Sequence, residues 1–299
     1  EVDFDRILTE ELAALGHEVC FYVPQKHVFR FDYGVPVRYL PGDSISYEGR
    51  KGVGKILAAA RKELARQQLY GGLFRAAQKG EFDAVIVPTS TYRYLRALNW
   101  NALKMSPAPI IFIQHGLNPR EVGGYMREAE RLAAYPNIKL VVLTLADSVF
   151  GRRPANVHCV YPPAYIPRDL DGKPAGKKTG PLKLGFFGQY RREKNLDAFL
   201  DTFIACRFAR PAELVVQGAT VDPDDAADFA RVIKKYGGKS GLSFLHRGLV
   251  GREWQEAIAG LDALVMPYVA ERYRYHWSGM LFTAIGYRKP VVASSTINP

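Results

Sequence analysis

Short apolar runs alternate with helical stretches along almost the whole chain, and this alternation limits the architecture more than any other feature. An amphipathic segment from Phe4 to Leu15, with Phe4, Ile7, Leu8, Leu12 and Leu15 at helical spacing, precedes strand-like runs at Val19–Val23 and Val35–Leu40. The pattern then predicts a long helix over Gly54–Gln78, with a break at Gly71-Gly72, followed by strand Phe82–Val87 and helix Tyr92–Lys104. Strand Ile110–Ile113, helix Arg120–Ala134 and strands Ile138–Leu143 and Val157–Tyr161 complete this series. Strands separated by helices of such length imply parallel βαβ units, and hence an open, doubly wound α/β sheet.

The pattern breaks once. From Pro162-Pro163 to Pro181 the chain carries Pro167 and Pro174 with Gly172, Gly176 and Gly180, which is the composition of a linker or loop. Alternation resumes with strand Leu182–Phe187, helix Leu196–Arg207, strand Ala212–Val216, helix Asp224–Tyr236 and strand Leu242–Leu245. Helix Arg252–Ala259, strand Ala263–Met266, helix Ser278–Gly286 and strand Pro290–Ala293 follow. The expected organisation is a Rossmann-like domain over 1–165, a linker over 166–181 and a second Rossmann-like domain over 182–299. Ligands of such sheets lie outside the carboxyl ends of the strands, so the site is expected in a cleft between the two domains. The chain opens inside a helical pattern and closes just after a strand, so a first strand and a closing element are expected to be missing.

Composition supports this reading and removes others. With 299 residues, 47% apolar and 12% aromatic, there is ample material for two cores, and intrinsic disorder is excluded. No apolar run approaches the roughly 18 to 20 residues needed to span a bilayer. Cys20, Cys159 and Cys206 are too scattered for a disulfide scaffold or a zinc site, which favours a reducing, cytoplasmic setting.

The formal charge is +11, and eleven Lys/Arg against three Asp/Glu between Arg50 and Lys104 make that stretch +8. Such an excess attracts anions, whether nucleic acid, acidic lipid or phosphorylated substrate. On the long helix, Lys55, Lys62 and Arg66 fall within about 40° of one another, opposed to Ile56, Leu57, Ala60 and Leu64. That cationic stripe reads either as an ordinary solvated face or as a docking face for anionic lipid. A nucleic-acid module lacks support, because no basic residues interleave with aromatics in a recognisable motif. A dinucleotide oxidoreductase is disfavoured because no Gly-x-Gly-x-x-Gly follows a strand.

The sharpest local feature is Gly185-Phe-Phe-Gly188-Gln-Tyr-Arg191-Arg192-Glu193-Lys194-Asn195. A strand ends at Gly188, a polar loop carries Arg191, Arg192 and Lys194, and a helix begins near Leu196. Backbone amides and long cations at such a place can converge on a diphosphate and stabilise it as a leaving group. The alternative is a solvated loop. A second candidate is Ser278-Gly279, at the start of an apolar helix, where Ser278 is placed as an N-cap and the first-turn amides could hold a phosphate. His115 closes the strand Ile110–Ile113 at its carboxyl end and reads either as a ligand-facing residue or as a histidine satisfied by a backbone carbonyl.

The block Leu184–Asn195 resembles the opening of the C-terminal domain of GT-B glycosyltransferases of the large retaining group, the family 4-like type. The Glu193-Lys194 pair matches that pattern. Gln189 stands where the family has Arg, Asn195 replaces a Gly, and Arg191 or Arg192 could supply the displaced guanidinium. Asp262–Pro267, the close GYRKPVVA at 286–293 and Gly16-His-Glu-Val19 resemble further family segments. The family's two glutamates fall on Tyr275 and Thr283 here, which leaves Glu271 as the carboxylate that could reach the donor sugar.

The resemblance implies a glycosyltransferase that moves a sugar from a nucleotide-diphosphate donor, UDP- or GDP-linked, to a carbohydrate or lipid-linked acceptor, with retention, in envelope polysaccharide or glycan synthesis. It implies Arg191, Arg192, Lys194, Ser278 and Gly279 at the donor diphosphate. Arg247 and Leu249 would lie near the nucleobase, though Arg247 reads equally as a surface residue. His115 and Glu271 would be catalytic. No cofactor or metal is implied, since the cations take the metal's place. Lys55, Lys62 and Arg66 would dock on an anionic membrane at the inner face of the cell. A nucleotide-sugar 2-epimerase of the same fold is the alternative.

Overall fold

A computed structural model describes residues 2–25, 33–43, 52–145, 150–167 and 180–297. The chain forms two compact units, Glu1–Tyr161 and Pro162–Pro299. Most of the expected linker, 168–179, lies outside the described residues.

In the first unit, α1 (Val2–Ala14) leads to a parallel pair, β1 (Phe21–Pro24) with β2 (Val37–Leu40). The long α2 (Gly52–Gln78) follows, then β3 (Val85–Ser90), α3 (Tyr92–Asn99), β4 (Ile110–Gln114), α4 (Pro119–Leu132), β5 (Ile138–Leu143) and β6 (Val157–Val160). Strands β3 to β6 form a parallel sheet in sequence order. Its apolar strands are packed by helices, and Phe112, Leu140, Leu95, Leu98 and Tyr125 are fully buried.

Three expectations change here. The helix is unbroken at Gly71-Gly72, because Gly72 lies against β2, where an added Cβ would sit 3.4 Å from the Leu40 side chain. The helix expected over 92–104 ends at Asn99. Asn101 starts a separate 3₁₀ turn, Ala102–Met105, by accepting a hydrogen bond from the Leu103 amide at 3.0 Å.

The third change is the orientation of α2. At about 100° per residue Arg66 lies about 20° from Leu73, which is buried, so the azimuth carrying Lys55, Lys62 and Arg66 is the core-facing one. Arg66 is accordingly not a surface cation: its side chain is 9% exposed, pairs with Glu63 at 2.5 Å and stacks on Tyr94 at 4.5 Å. The apolar residues Val53, Ile56, Leu57 and Leu64 face outward instead. Tyr70, Leu73 and Ala77 in the second half of the helix fix its rotation, and the first half follows.

The second unit is a five-stranded parallel sheet in the order β11-β10-β7-β8-β9. Its strands are β7 (Leu182–Phe186), β8 (Ala212–Gln217), β9 (Leu242–Leu245), β10 (Ala263–Met266) and β11 (Val291–Ala293). The connecting helices are α5 (Leu196–Ala205), α6 (Pro223–Tyr236), α7 (Gly251–Ala259) and α8 (Gly279–Gly286). Phe186, Leu200, Leu214, Val216, Phe229 and Leu264 make its core. Gly185 is required inside β7, since a Cβ there would lie 2.3 Å from a Leu261 methyl. The first strand of this unit sits in the middle, and the chain departs from it in opposite directions. The switch point therefore falls between β7 and β10, where open α/β sheets form their ligand crevice.

Candidate functional site

The loops after β7 and β10 flank that switch point, and they carry most of the residues singled out in the sequence. Two residues after β7 comes Gly188, whose φ of +104° is one that glycine adopts readily and other residues rarely. A Cβ there would lie 3.2 Å from the sulfur of Met280 in the first turn of α8, so the loop and the helix start touch. The chain then forms a short 3₁₀ turn, Arg192–Lys194, and enters α5 through Asn195 at φ 57°. This left-handed position accounts for the residue: Asn and Gly adopt it at least cost, so the Gly of the related pattern is replaced without a change of path.

Lys194 is 7% exposed, and its ammonium finds no hydrogen-bond acceptor among the described residues. It lies 4.7 Å from the ring centre of Tyr268 and 5.8 Å from that of Phe186. Burial, reinforced by repulsion from Arg191 and Arg272, lowers its pKa to about 7.

Arg272 belongs to the 3₁₀ turn Glu271–Arg274 after β10. It pairs with Glu193 at 2.5 Å and donates to the Tyr273 hydroxyl at 3.0 Å. The loops thus bring together Arg191, Lys194 and Arg272 against one carboxylate, Glu193. Arg192 does not join them. Its guanidinium turns to the acidic first turn of α6, 3.4 Å from Asp225 and 3.7 Å from Asp224.

Ser278 occupies the N-cap of α8, is buried, and makes no capping hydrogen bond with its side chain. Its carbonyl accepts from the amides of Leu281 and Phe282, which leaves the Gly279 and Met280 amides at the positive end of the helix dipole. Thr283, at the second family glutamate position, is 2% exposed and donates to the Gly279 carbonyl at 2.9 Å. Glu271 is exposed, with no hydrogen bond or ion pair among the described residues.

Gln217 was not legible from sequence. It is 1% exposed at the carboxyl end of β8; its side-chain carbonyl accepts from the Gly188 amide at 2.8 Å, and its NH2 donates to the Arg247 carbonyl at 2.5 Å. One neutral side chain therefore clasps the loops after β7, β8 and β9. Arg247 presents its backbone to this clasp, while its guanidinium is taken by Glu253, with one contact at 2.8 Å. Leu249 is packed in the core of the unit.

In the first unit, His115 stands at the carboxyl end of β4. Its Nε2 lies 2.7 Å from the Pro88 carbonyl and its ring packs edge-on against Phe4 at 4.7 Å. A carbonyl can only accept, so this contact puts the proton on Nε2 and leaves Nδ1 as the acceptor nitrogen. Among the described residues no three His, Cys, Asp or Glu side chains are placed to hold a metal ion. The Asp-x-Asp spacing occurs three times: at Asp3-Phe4-Asp5 within α1, at Asp222-Pro223-Asp224 at the start of α6, and at Asp169-Leu170-Asp171, which lies outside the described residues.

No protein-family model and no curated protein sequence matches the chain. Its architecture does match solved structures. HepE of Anabaena, solved in complex with UDP-glucose, shares 15% identity over 89% of this chain and 69% of its own, with a TM-score of 0.57. WaaG, a glycosyltransferase involved in lipopolysaccharide biosynthesis, shares 17% over 99% and 77%, with a TM-score of 0.59. Sucrose-phosphate synthase from Thermosynechococcus elongatus shares 13% over 98% and 75%, with a TM-score of 0.62. At such identities the likeness is one of fold: two Rossmann-like α/β units of the GT-B glycosyltransferase type.

Proposed function

We propose that the chain transfers a sugar from a nucleotide-diphosphate donor, UDP- or GDP-linked, to a carbohydrate or lipid-linked acceptor, with retention and without a metal. The observation that carries this reading is the buried Lys194 ammonium at the switch point, beside Arg191 and Arg272, in the loop whose Gly188 meets the first turn of α8. A buried ammonium without a hydrogen-bond acceptor, in a cluster where three cations share one carboxylate, is costly, and a diphosphate supplies two negative groups at that place. The likeness to structures solved with UDP-glucose supports the same ligand.

In this reading Lys194, Arg191, Arg272 and the Gly279 and Met280 amides stabilise the charge that develops on the leaving diphosphate, which lowers the barrier to breaking the sugar–phosphate bond. Arg192 has no direct part. The leaving phosphate itself would take the acceptor's proton. Glu271 is the carboxylate assigned to the donor sugar, and His115 the residue assigned to the acceptor. The Arg247 and Leu249 backbone lies at the nucleobase end.

Thermal melting with UDP, GDP, CDP, ADP and TDP tests the donor. At least one is expected to raise the melting temperature, since a ligand at 100 times its Kd adds about 2.7 kcal/mol. Lys194→Ala is expected to remove that rise. No shift with any of the five would overturn the assignment.

A cytoplasmic enzyme acting on lipid-linked acceptors would bind the membrane peripherally, and no described helix is long and apolar enough to cross one. The first half of α2 is the proposed contact, through exposed Val53, Ile56 and Leu57, with exposed Lys55 in the same turn. Sedimentation with phosphatidylglycerol vesicles at low salt is expected to pull the protein down, and Ile56→Asp with Leu57→Asp to release it. Equal binding to neutral vesicles, or none to either, would count against this contact.

A further inference from the structure

The carboxyl ends of β1 and β2 and one side of α2 enclose a groove of about 630 Å³ that no part of the donor chemistry uses. Its location follows the same rule as the switch-point site: Gln25 directly follows β1, and Pro41, Gly42 and Asp43 directly follow β2. Along α2 the groove takes residues three or four apart, from Arg61 through Leu64, Gln68 and Gly71 to Arg75, so it runs parallel to the helix axis. The Cα atoms of its two arginines are about 21 Å apart along that axis at 1.5 Å per residue. The lining is therefore long and narrow.

Its chemistry is specific. Neither Arg61 nor Arg75 has an ion pair or side-chain hydrogen bond among the described residues. Arg75 folds back over Gly71, its Nη1 3.6 Å from where a Cβ would be. Asp43 is the one carboxylate among the described lining residues and already has a partner. Gln67 is also occupied, donating to the Ala97 carbonyl at 2.9 Å and accepting from Asn101 at 2.6 Å. The side-chain amides of Gln25 and Gln68 have no hydrogen bond among the described residues and can both donate to and accept from hydroxyls. Small residues make the floor: at Gly42 a Cβ would press on the Ala65 carbonyl at 3.3 Å, so β2 runs close against the helix there. No aromatic ring is among the described residues that line the groove. Two unpaired guanidinia at either end of an amide-walled channel suit an extended, hydroxyl-rich molecule with acidic groups along it.

We propose that this groove binds an acidic saccharide, with Arg61 and Arg75 as the contacts for its anionic groups and Gln25 and Gln68 for its hydroxyls. That this saccharide is the acceptor rests on the transferase reading above; that an acidic saccharide binds here does not.

Isothermal titration at low salt, with and without saturating UDP, separates the two. A tetrameric oligogalacturonate is expected to bind at least tenfold more tightly than neutral maltotetraose. Arg61→Ala with Arg75→Ala should lose at least that factor and leave UDP stabilisation unchanged. Gly71→Leu should fill the groove from beneath Arg75 without removing either charge, at a helical position with room for a Cβ, and block binding equally. Binding of inorganic phosphate but not of the oligogalacturonate, lost in the double variant, supports the site with phosphate as the acidic group. Equal affinity for the neutral tetramer, full binding by both variants, or no binding of either anion overturns it. Failure of all five nucleoside diphosphates to bind while the groove still takes the acid would instead remove the transferase reading alone.

Discussion

Lys194→Met is expected to melt at or above the parent protein at pH 6 and to lose all stabilisation by nucleoside diphosphates. The two halves of this result come from one cause. In the ligand-free chain the ammonium sits between Phe186 and Tyr268 without an acceptor, and its pKa of about 7 against an ordinary 10.5 measures how strongly the folded state resists the charge. Methionine fills a similar volume between the same rings without charge, and exchanging a buried ion for such a side chain is neutral or stabilising by about 1 to 4 kcal/mol. The same exchange removes the cation from beside the diphosphate. Calorimetry with and without UDP reads both effects. A variant that melts several degrees lower than the parent, yet is still raised by UDP, would show that Lys194 is a structural residue only.

Nucleoside diphosphate affinity is expected to fall by close to tenfold per pH unit above pH 7. A diphosphate favours the ammonium, so binding requires Lys194 to be protonated and raises its pKa; above about 7 the free protein must take up a proton to bind. Titrations at pH 8 in buffers of different ionisation enthalpy should register that uptake, and Lys194→Met should abolish the slope. Stability of the ligand-free protein moves the opposite way. The folded pKa is depressed below the unfolded one, so the folded state is penalised while the group is charged. The penalty is relieved as pH rises from about 7 towards 10.5. Flat affinity between pH 6 and pH 9 would mean that the ammonium does not meet the ligand.

The succession of strands and helices was legible in outline because its signals are local. Apolar runs such as 138–143 and 263–266, bounded by polar or turn residues, have the same limits as the strands. The loop after β7 was legible for the same reason: strand end, glycine and cations are consecutive. What failed depends on distant partners. Arg191, Arg192 and Lys194 are alike in sequence, and only the side chains of α6, some 33 residues on, turn Arg192 away. Arg272 enters the site from the other flanking loop, and its signal was its place just after a strand end rather than any motif. On α2 two opposed stripes were visible, but which of them faces inward is decided by packing around Tyr70 and Leu73. Gln217 had no signal at all, since a glutamine ending a strand is ordinary until its two neighbours are known.

The clasp made by Gln217 has a further consequence. Because a neutral amide sets the spacing between strand-end loops, the electrical character of the crevice and its mechanical frame are held by separate residues. Evolution or an engineer could then replace cations around Lys194 one at a time, shifting preference among ligands of different valence, while the backbone seat keeps its dimensions.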